Sequence, residues 1–457
     1  MQILNESLKK NVFVLLLFVF IFIFCDNHAI GQIPWTKDAN NPVMSGSEQE
    51  TWDKHVFMPN ILYNADSARY EMWFSASRGP DAQSNWNPIR IGFATSTDGI
   101  SWTKHPHPVL EPDAGTWDES YVDGAKIIRE NGQYKMWYIG SGPTHPDGGI
   151  GYATSPDGIN WTKDTINNPV IVPDTVTWEA VGYDYCYFYV LPVQGGGYKM
   201  WYAGNVKGEE TKKSIGYATS DDGITWQKDA LNNPVLTTET TGKWDHMVCI
   251  PQVVLLDGVY HMWYLGIGSG WDYRNFGWAT SVDGIQWNKY NDTTTTSTLY
   301  ADSDPVLQPT PGQWDGNYIE PGTVMLEGDS LRMWYAGSRY PAGTYLWRIG
   351  HATAPLIPTG LFEIEDIVSP DGYVLTQNHP NPFNPSTTIE FTLPKSELIT
   401  LKVYNILGKE ISTLVSNTLN QGNYTYTFDG RNLASGIYYY QLVTGDFREV
   451  KKMILLR

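Results

Sequence analysis

The sequence predicts an all-β protein: a five-bladed β-propeller followed by a small Ig-like β-sandwich. The first observation is a phrase of the form Gly-Tyr-Ala-Thr-Ser-x-Asp-Gly-x-x-Trp, which recurs at 92–102, 151–161, 216–226 and 277–287 and starts a fifth time at Gly350. The second is Met-Trp-Tyr or Met-Trp-Phe, which recurs at intervals of 64, 64, 62 and 71 residues from Met72. Such a period suits a four-stranded propeller blade, and both phrases alternate with the period of a β-strand.

The chain opens with a predicted secretory signal peptide, residues 1–31. Lys9 and Lys10 precede an apolar run over 12–24, and the small residues Ala29 and Gly31 follow it. This is the order of charged region, apolar region and cleavage site in a signal peptide. The run is shorter than the ~20 residues of a membrane-spanning helix. We therefore expect the mature protein to leave the cytoplasm.

Residues 32–355 form the predicted propeller. In the second repeat the four strands read as 123–129, 134–139, 150–154 and 160–163. The last repeat stops at Pro355 without a fourth strand, whereas 33–37 has the sequence of a fourth strand with no third strand before it. We therefore expect the N-terminal strand to complete blade five, which closes the ring and protects its edges.

A linker and a second β unit follow the propeller. Residues 356–373, with Pro, Gly and acidic residues, are the predicted linker. Residues 374–457 contain strand-like runs near 388–393, 399–406, 424–428 and 436–443. A unit of this size and pattern is typical of an Ig-like sandwich.

The composition excludes several classes of partner. The net charge is −18 and no long basic run is present, which argues against nucleic acid and anionic membranes. Aromatic residues make up 14% of the chain; most of these rings should pack between sheets, although such rings also suit sugars. No Cys/His spacing indicates zinc, and Cys186 and Cys249 allow at most one disulfide in the mature protein. We expect a monomer.

Residues that recur in every repeat are interpreted as structural. The Asp-Gly pairs at Asp98, Asp157, Asp222 and Asp283 fit hairpin turns, because glycine adopts a positive φ without steric cost. A Trp-Asp or Trp-Glu pair occurs once in each of the five repeats. A residue needed five times is expected to hold a loop rather than to catalyse a reaction.

The catalytic candidates lie where the repeat fails to repeat. Six residues after the Trp of each Trp-acid pair, where the first strand enters the channel, stand Met58, Asp123, Asp184, Ile250 and Glu320. Crowded carboxylates raise one another's pKa, a cost that suits catalytic groups or a bound cation. No cofactor is otherwise predicted, and a structural calcium ion in the channel is the exception that these acids allow. Hydrogen bonds to loop amides or channel water are the plainer alternative.

The loops at the same face vary from repeat to repeat and are rich in Arg and aromatic residues. Variable loops on a rigid repeat scaffold are typical of a ligand-binding face. The predicted substrate-binding residues are Arg78, Trp86, Arg90, His145, Trp271, Arg274, Arg339 and Arg348.

With the five repeats and the Ala-Thr-Ser-x-Asp-Gly-x-x-Trp phrase, residues 33–355 resemble the five-bladed-propeller glycosidases, a group that includes invertase-like enzymes, arabinanases, xylosidases and mannoside phosphorylases. The resemblance implies a carbohydrate substrate. In its hydrolases, acids from three consecutive blades act as base, pKa modulator and acid. Carried over, these roles fall on Asp123, Asp184 and Glu320, although Glu320 comes from blade five and Ile250 stands in blade four.

A secreted glycoside hydrolase is the leading hypothesis from this resemblance. A non-catalytic glycan-binding or scaffold propeller at the cell surface is the alternative, favoured by the missing acid in blade four. A glycoside phosphorylase, with phosphate held by Arg90, Arg348 or Arg78, ranks below both.

The C-terminal unit resembles the type IX secretion sorting domain. The resemblance rests on Gln-Asn-His-Pro-Asn-Pro-Phe-Asn-Pro at 377–385, Tyr-Asn-Ile-Leu-Gly-Lys at 404–409 and Ala-Ser-Gly-Ile-Tyr-Tyr at 434–439. It implies the type IX machinery as a partner and export through an outer membrane, to the cell surface or the medium. A generic adhesive Ig domain is the alternative.

Overall fold

The structure is a computed structural model, and it describes residues 34–47, 51–79, 88–174, 178–179, 187–193, 195–237, 242–256, 258–269, 274–292, 294–328, 330–339, 346–355, 373–405, 410–433, 435–445 and 447–456. These residues are all-β apart from one 3-10 turn, Thr298–Tyr300. Within these ranges no helix is long and apolar enough to cross a membrane. The chain divides into two compact units between Leu356 and Ile357. The predicted signal peptide, residues 1–31, lies outside the described ranges.

The first unit consists of four-stranded antiparallel sheets, five of them in the described residues. In chain order its strands are β1 (Thr36–Lys37), β2 (His55–Asn64), β3 (Arg69–Ser77), β4 (Arg90–Ser96), β5 (Thr103–Lys104), β6 (Tyr121–Glu130), β7 (Gln133–Gly142), β8 (His145–Ser155), β9 (Thr162–Lys163), β10 (Phe188–Pro192), β11 (Tyr198–Val206), β12 (Glu209–Ser220), β13 (Gln227–Lys228), β14 (Met247–Leu256), β15 (Val259–Ile267), β16 (Arg274–Ser281), β17 (Asn288–Lys289), β18 (Tyr318–Glu327), β19 (Ser330–Arg339) and β20 (Leu346–Pro355).

The sheets are numbered here from one to five along the chain. Sheets 1 to 4 each take four consecutive strands, starting at β2, β6, β10 and β14, and sheet 5 has the order β1-β20-β19-β18. The first strands of successive sheets contact one another, and β18 of sheet 5 contacts β2 of sheet 1. These five strands therefore enclose a common space, called the channel below.

The outermost strand of sheet 5 comes from the N-terminus. In β1, Thr36 pairs with Thr353 and Lys37 pairs with Ala352 of β20. This is the pairing that the sequence predicts for the strand missing from the last repeat. It leaves the edge of β20 covered rather than open to another chain.

The Asp-Gly turns link each sheet to its neighbour. The indole nitrogen of Trp137 in sheet 2 donates to the Gly223 carbonyl of the turn in sheet 3, at 2.7 Å. Trp226 of sheet 3 donates to the same oxygen at 3.0 Å. Sheets 1, 3 and 5 reach the next turn in the same way, through Trp73–Gly158, Trp201–Gly284 and Trp334–Gly99.

The aspartates of these turns are structural, as expected. Asp98 Oδ1 accepts hydrogen bonds from the amides of Ile100, at 2.8 Å, and Ser101, at 2.7 Å. Hydrogen bonds from the Ser101 and Ile100 amides lower the pKa of Asp98, so it stays ionised. A carboxylate held in this way is poorly suited to exchange protons at neutral pH.

The recurring Trp-acid pairs also hold loops. In sheet 2 the buried Asp118 pairs with Lys163 of β9, at 2.7 Å, and accepts from the Tyr138 hydroxyl, at 3.0 Å. The same pairing of outer-strand lysine and loop acid occurs in the other sheets, between Lys104–Asp53, Lys228–Glu179, Lys289–Asp245 and Lys37–Asp315. Each pair ties the loop before an inner strand to the outer strand of its own sheet.

The second unit contains a three-stranded and a four-stranded antiparallel sheet in the described residues. Their apolar side chains form one core, with Ile389 and Phe391 from the smaller sheet and Leu401 and Tyr440 from the larger. In chain order the strands are β21 (Val374–Leu375), β22 (Ser386–Leu393), β23 (Glu397–Asn405), β24 (Glu410–Leu419), β25 (Gly422–Asp429), β26 (Gly436–Val443) and β27 (Arg448–Leu455).

Candidate functional site

The inner strands begin with an irregularity that aims side chains at the entrance of the channel. Near the start of β2, β6, β14 and β18, the register with the next strand shifts. The residue at the shift has left-handed backbone in three of them, with φ of 50° at Met58, 57° at Gly124 and 50° at Ile250. A bulge of this kind re-aims neighbouring side chains.

The pairing corrects which residues are equivalent at this entrance. Ile61, Ile127, Val253 and Val324 lie opposite the methionines of the Met-Trp phrase. Four positions before them stand Phe57, Asp123, Cys249 and Glu320. Sheets 1 and 4 therefore present Phe57 and Cys249 where the sequence count placed Met58 and Ile250. The count failed because the loop after the Trp is one residue shorter in these two sheets.

In sheet 3 too, counting six residues from the Trp of the Trp-acid pair does not reach the position equivalent to Asp123. Tyr187 has φ of 58° and precedes Val190 by three positions, as Gly124 precedes Ile127. Tyr187 follows Trp178 by nine residues, whereas Gly124 follows Trp117 by seven. Asp184, the predicted pKa modulator, lies outside the described residues.

Asp123 is buried at the entrance, with 6% of its surface exposed. The Gly124 amide donates to its Oδ1 at 2.6 Å and also to Ser75 Oγ at 2.9 Å. The Tyr187 hydroxyl of sheet 3 donates to Oδ2 at 3.4 Å. Donors on both oxygens hold this carboxylate in one orientation.

Glu320 is equally buried and pairs with a cation from the neighbouring sheet. Arg274 Nη1, at the start of β16, donates to Glu320 Oε1. The guanidinium lies over the Tyr318 ring, 4.7 Å from its centroid. Burial raises the pKa of Glu320; Arg274 opposes this rise and the charge of Asp123 adds to it.

Asp123 and Glu320 thus influence each other from sheets 2 and 5, on either side of sheet 1. One carboxyl is held by amide and phenol donors, and the pKa of the other is raised. Two carboxyl groups in different environments are the arrangement that divides acid and base roles in an enzyme.

The other predicted rim residues have separate partners. Arg90 Nε pairs with Glu111 Oε1 at 2.8 Å. Arg339 Nη1 donates to the Gly312 carbonyl at 2.7 Å. Arg348 is half-buried, and its Nε has no hydrogen-bond partner among the described residues.

Arg78 is exposed at the end of β3. His145, at the start of β8, stands edge-on to Trp117 with ring centroids 6.3 Å apart. The remaining two predicted contacts, Trp86 and Trp271, lie outside the described residues. Arg274, a member of the predicted substrate-binding set, contacts the candidate catalytic acid Glu320.

Sequence reasoning missed three residues at this entrance. Tyr187 and Tyr318 contact Asp123 and Arg274, and nothing in the repeat marks them. Lys213 is buried at the register position that Arg274 occupies in sheet 4. A signal for Lys213 existed, because both cations stand three residues before the recurring glycine, Gly216 or Gly277.

The described residues of the channel form no ready site for the calcium ion that the sequence allows. Among the described residues no group of three or more His, Cys, Asp or Glu side chains is close enough to hold a metal. Below the acids the channel carries the ammonium of Lys126, which contacts Gln252 at 3.2 Å. A divalent cation beside an unpaired ammonium is electrostatically unfavourable.

Comparison with known proteins identifies the C-terminal unit. Residues 378–456 match the family model described as a secretion system C-terminal sorting domain. The protein is therefore secreted or exported to the cell surface by type IX secretion.

The first unit has a relative in Mycobacterium tuberculosis (strain ATCC 25618 / H37Rv), the uncharacterized protein Rv1502. The two are 30% identical over 241 residues, which span 51% of this chain and 73% of that protein. The chain belongs to the family of this mycobacterial protein. A second relative is the 1,2-beta-oligomannan phosphorylase of Thermoanaerobacter sp. (strain X514), 29% identical over 27% of this chain and 42% of that enzyme.

A solved structure confirms the likeness in fold to GH130 proteins. It is described as part of the GH130 family of mannoside phosphorylases that contains glycoside hydrolases targeting β-1,2 mannosidic linkages in Candida mannan. The match has a TM-score of 0.51 and 16% identity, and covers 71% of this chain and 94% of that one. The chain thus combines a GH130-like fold with a secretion sorting domain.

Proposed function

We propose that the five sheets are the blades of a five-bladed propeller, that residues 374–457 form an Ig-like sandwich, and that the propeller is a secreted glycoside hydrolase acting at the entrance of its channel. The observation that carries the proposal is the pair Asp123 and Glu320. They occupy equivalent positions in two sheets, face the same space and differ in environment.

In this proposal Glu320 is the general acid and Asp123 the general base. A raised pKa keeps Glu320 protonated to higher pH, as a group that protonates a leaving oxygen requires. Asp123 would activate a water molecule on the opposite face of the sugar, the arrangement of an inverting enzyme. Asp184 stays the proposed pKa modulator only through the family resemblance, because the strand register of sheet 3 does not make it equivalent to Asp123.

The substrate proposed for testing is a β-1,2-linked mannoside, the linkage targeted by the glycoside hydrolases of the GH130 family. The proposed contacts are Arg274 beside Glu320 and the surrounding rim, Arg78, Trp86, Arg90, His145, Trp271, Arg339 and Arg348. Aromatic and arginine side chains suit the faces and hydroxyls of a sugar.

The first experiment compares Asp123→Asn and Glu320→Gln with the native protein on a panel of mannosides and other glycans. Loss of either carboxyl should lower kcat by about 10²–10⁴-fold, the usual contribution of a general acid or base. Asp157→Asn is the matched control, because Asp157 serves a turn away from the entrance. Unchanged turnover in both entrance variants would rule out the assignment.

A glycoside phosphorylase is the second candidate, favoured by the Thermoanaerobacter relative and by the cations at the entrance. The two reactions differ in the acceptor, water or phosphate. The same assays with and without inorganic phosphate decide between them: a phosphorylase releases sugar 1-phosphate and depends on phosphate, whereas a hydrolase releases free sugar. Glycan binding without turnover under either condition would favour the non-catalytic alternative.

A further inference from the structure

A second polar layer crosses the channel beyond the acids. In each inner strand one residue lies opposite the methionine of the Met-Trp phrase. The residues immediately before it, in sheets 1 to 5, are Asn60, Lys126, Tyr189, Gln252 and Thr323. Lys126 Nζ of sheet 2 lies 3.2 Å from Gln252 Oε1 of sheet 4. Because sheets 2 and 4 are not neighbours, this contact spans the middle of the channel.

Lys126 is a buried cation without an anionic partner. Its surface is 3% exposed, and its contacts in the described part of the chain are Gln252 Oε1 and the Tyr189 ring, 5.9 Å from the ammonium to the centroid. No carboxylate of the described residues pairs with it. Burial alone lowers the pKa of Lys126 to about 7, in keeping with the cost of an isolated buried charge.

Gln252 adds a second donor without an acceptor. Its side chain is fully buried, and its Nε2 has no hydrogen-bond partner among the described residues. This nitrogen is bonded to the same carbon as the oxygen that contacts Lys126. A buried amide hydrogen without an acceptor is costly and rare in folded proteins.

Two other members of the layer are already engaged. Asn60 Oδ1 accepts from the Ile127 amide of the next sheet at 3.0 Å. Thr323 Oγ1 accepts from the Ile61 amide at 2.8 Å. These bonds join neighbouring inner strands and leave Lys126 as the cation of the layer, beside the buried Gln252 Nε2 that has no partner among the described residues.

A cavity of about 290 Å³ opens beside Lys126. It is bordered by Asn60, Tyr189 and Thr323 and follows the inner strands past Leu62 and Ile128 to the carboxylate of Glu71, which pairs with Arg69. Since a water molecule occupies about 30 Å³, the cavity has room for an inorganic ion together with some of its hydration.

We propose that a small inorganic anion, a halide or phosphate, enters from this cavity and binds between Lys126 Nζ and the neighbouring Gln252 Nε2. An anion would supply both a negative counter-charge for the Lys126 ammonium and a hydrogen-bond acceptor for Gln252 Nε2. Water would satisfy the amide without neutralising the ammonium, and a cation would meet two donors. The site is separate from the acids at the entrance, and its occupancy does not depend on glycoside turnover.

Crystals of the native full-length protein soaked in sodium bromide test the proposal directly. Bromide scatters anomalously, so a peak within hydrogen-bonding distance of Lys126 Nζ and Gln252 Nε2 is expected. A channel without an anomalous peak at Lys126 overturns the proposal, whatever other bromide sites appear.

Thermal unfolding with increasing sodium chloride or sodium phosphate distinguishes the two anions. The native Tm should rise more than that of Lys126→Met, and the salt giving the larger difference identifies the ligand. Lys135→Met is the matched control, because Lys135 pairs with Glu130 at 2.8 Å; it should keep the native response. Equal responses of native protein and Lys126→Met in both salts contradict the proposal, and if Lys126→Met does not fold, the bromide experiment decides alone.

Discussion

Glu320 and Asp123 occupy the same register position in their sheets, yet their surroundings differ. Asp123 accepts hydrogen bonds from a backbone amide and a tyrosine. Glu320 has one charged partner, Arg274, which is itself placed over Tyr318. The protonation of Glu320 therefore depends on a balance in which burial and the charge of Asp123 oppose Arg274.

This balance leads to a prediction for Arg274→Met. Arg274 lowers the pKa of Glu320, so its removal should raise that pKa further. If Glu320 is the general acid, the loss of kcat/KM at high pH should move to higher pH in the variant. The pH profile of kcat/KM with a β-mannoside checks this; a shift to lower pH, or a shifted acidic limb, would contradict the acid role.

At the scale of single residues, the sequence marked several side chains that lie near one another in the structure. Asp123, Glu320 and Arg274 stood out because they break a repeat, and the structure brings them together. In sheets 1 and 4 the sequence count was wrong by one residue and missed Phe57 and Cys249. Loop length and a left-handed residue decide which side chain faces the channel, and neither is visible in the repeat. Tyr187 was invisible, since its contact with Asp123 joins different sheets.

Among the elements, the recurring Asp-Gly turn joins each sheet to the preceding one by hydrogen bonds. The glycine carbonyl of each Asp-Gly turn accepts from the tryptophan of its own outer strand and from that of the preceding sheet. Sheet 5 has no such turn, and the indoles of Trp263 in sheet 4 and of Trp35 beside β1 have no hydrogen-bond partner among the described residues. Their rings still meet edge to edge, 6.0 Å apart.

This difference predicts unequal effects of one substitution at equivalent positions. Trp137→Phe should lower the Tm more than Trp263→Phe, because both lose ring volume but the first alone loses a hydrogen bond to a turn. The two variants should differ in the free energy of unfolding by about 1 kcal/mol, the usual net value of a buried hydrogen bond. Thermal unfolding of the two variants measures it, and equal Tm values would show that the turn bond adds no stability.

Strand prediction succeeded where the alternation of apolar and polar residues is strong. β26 has the predicted bounds, and β6 to β8 extend their predicted cores by a few residues. β24 was not predicted, because its run of Ser, Thr and Asn offers little alternation. It pairs on one side with β23 and forms an edge of its sheet, so packing imposes a weaker pattern on it.

On the scale of the whole molecule, two units have separate cores and separate tasks. The first carries the five sheets and the acids, and the second matches the sorting domain over residues 378–456. The repeats and the sorting motifs made this division predictable. The sequence could not show which distant strands share the channel, since the contact of Lys126 with Gln252 spans 126 residues.

Removal of residues 374–457 should separate export from activity. In a host with type IX secretion, the shortened protein should remain inside the outer membrane, because the sorting domain is missing. Its turnover of glycosides in cell extracts should match that of the full chain. Immunoblots of cell fractions and medium, with assays of each fraction, test both expectations; appearance of the shortened protein in the medium would contradict the sorting role.

The missing turn of sheet 5 has a consequence for how a bound ligand would change the stability of the neighbouring strands. The joint between sheets 4 and 5 lacks the tryptophan-to-turn hydrogen bond, and it is also the joint bridged by Arg274 and Glu320. A molecule bound between these two side chains would therefore add a link at a joint that has no tryptophan-to-turn hydrogen bond among the described residues. Binding at the entrance should then slow hydrogen exchange along β15 and β18, the strands on the two sides of this joint.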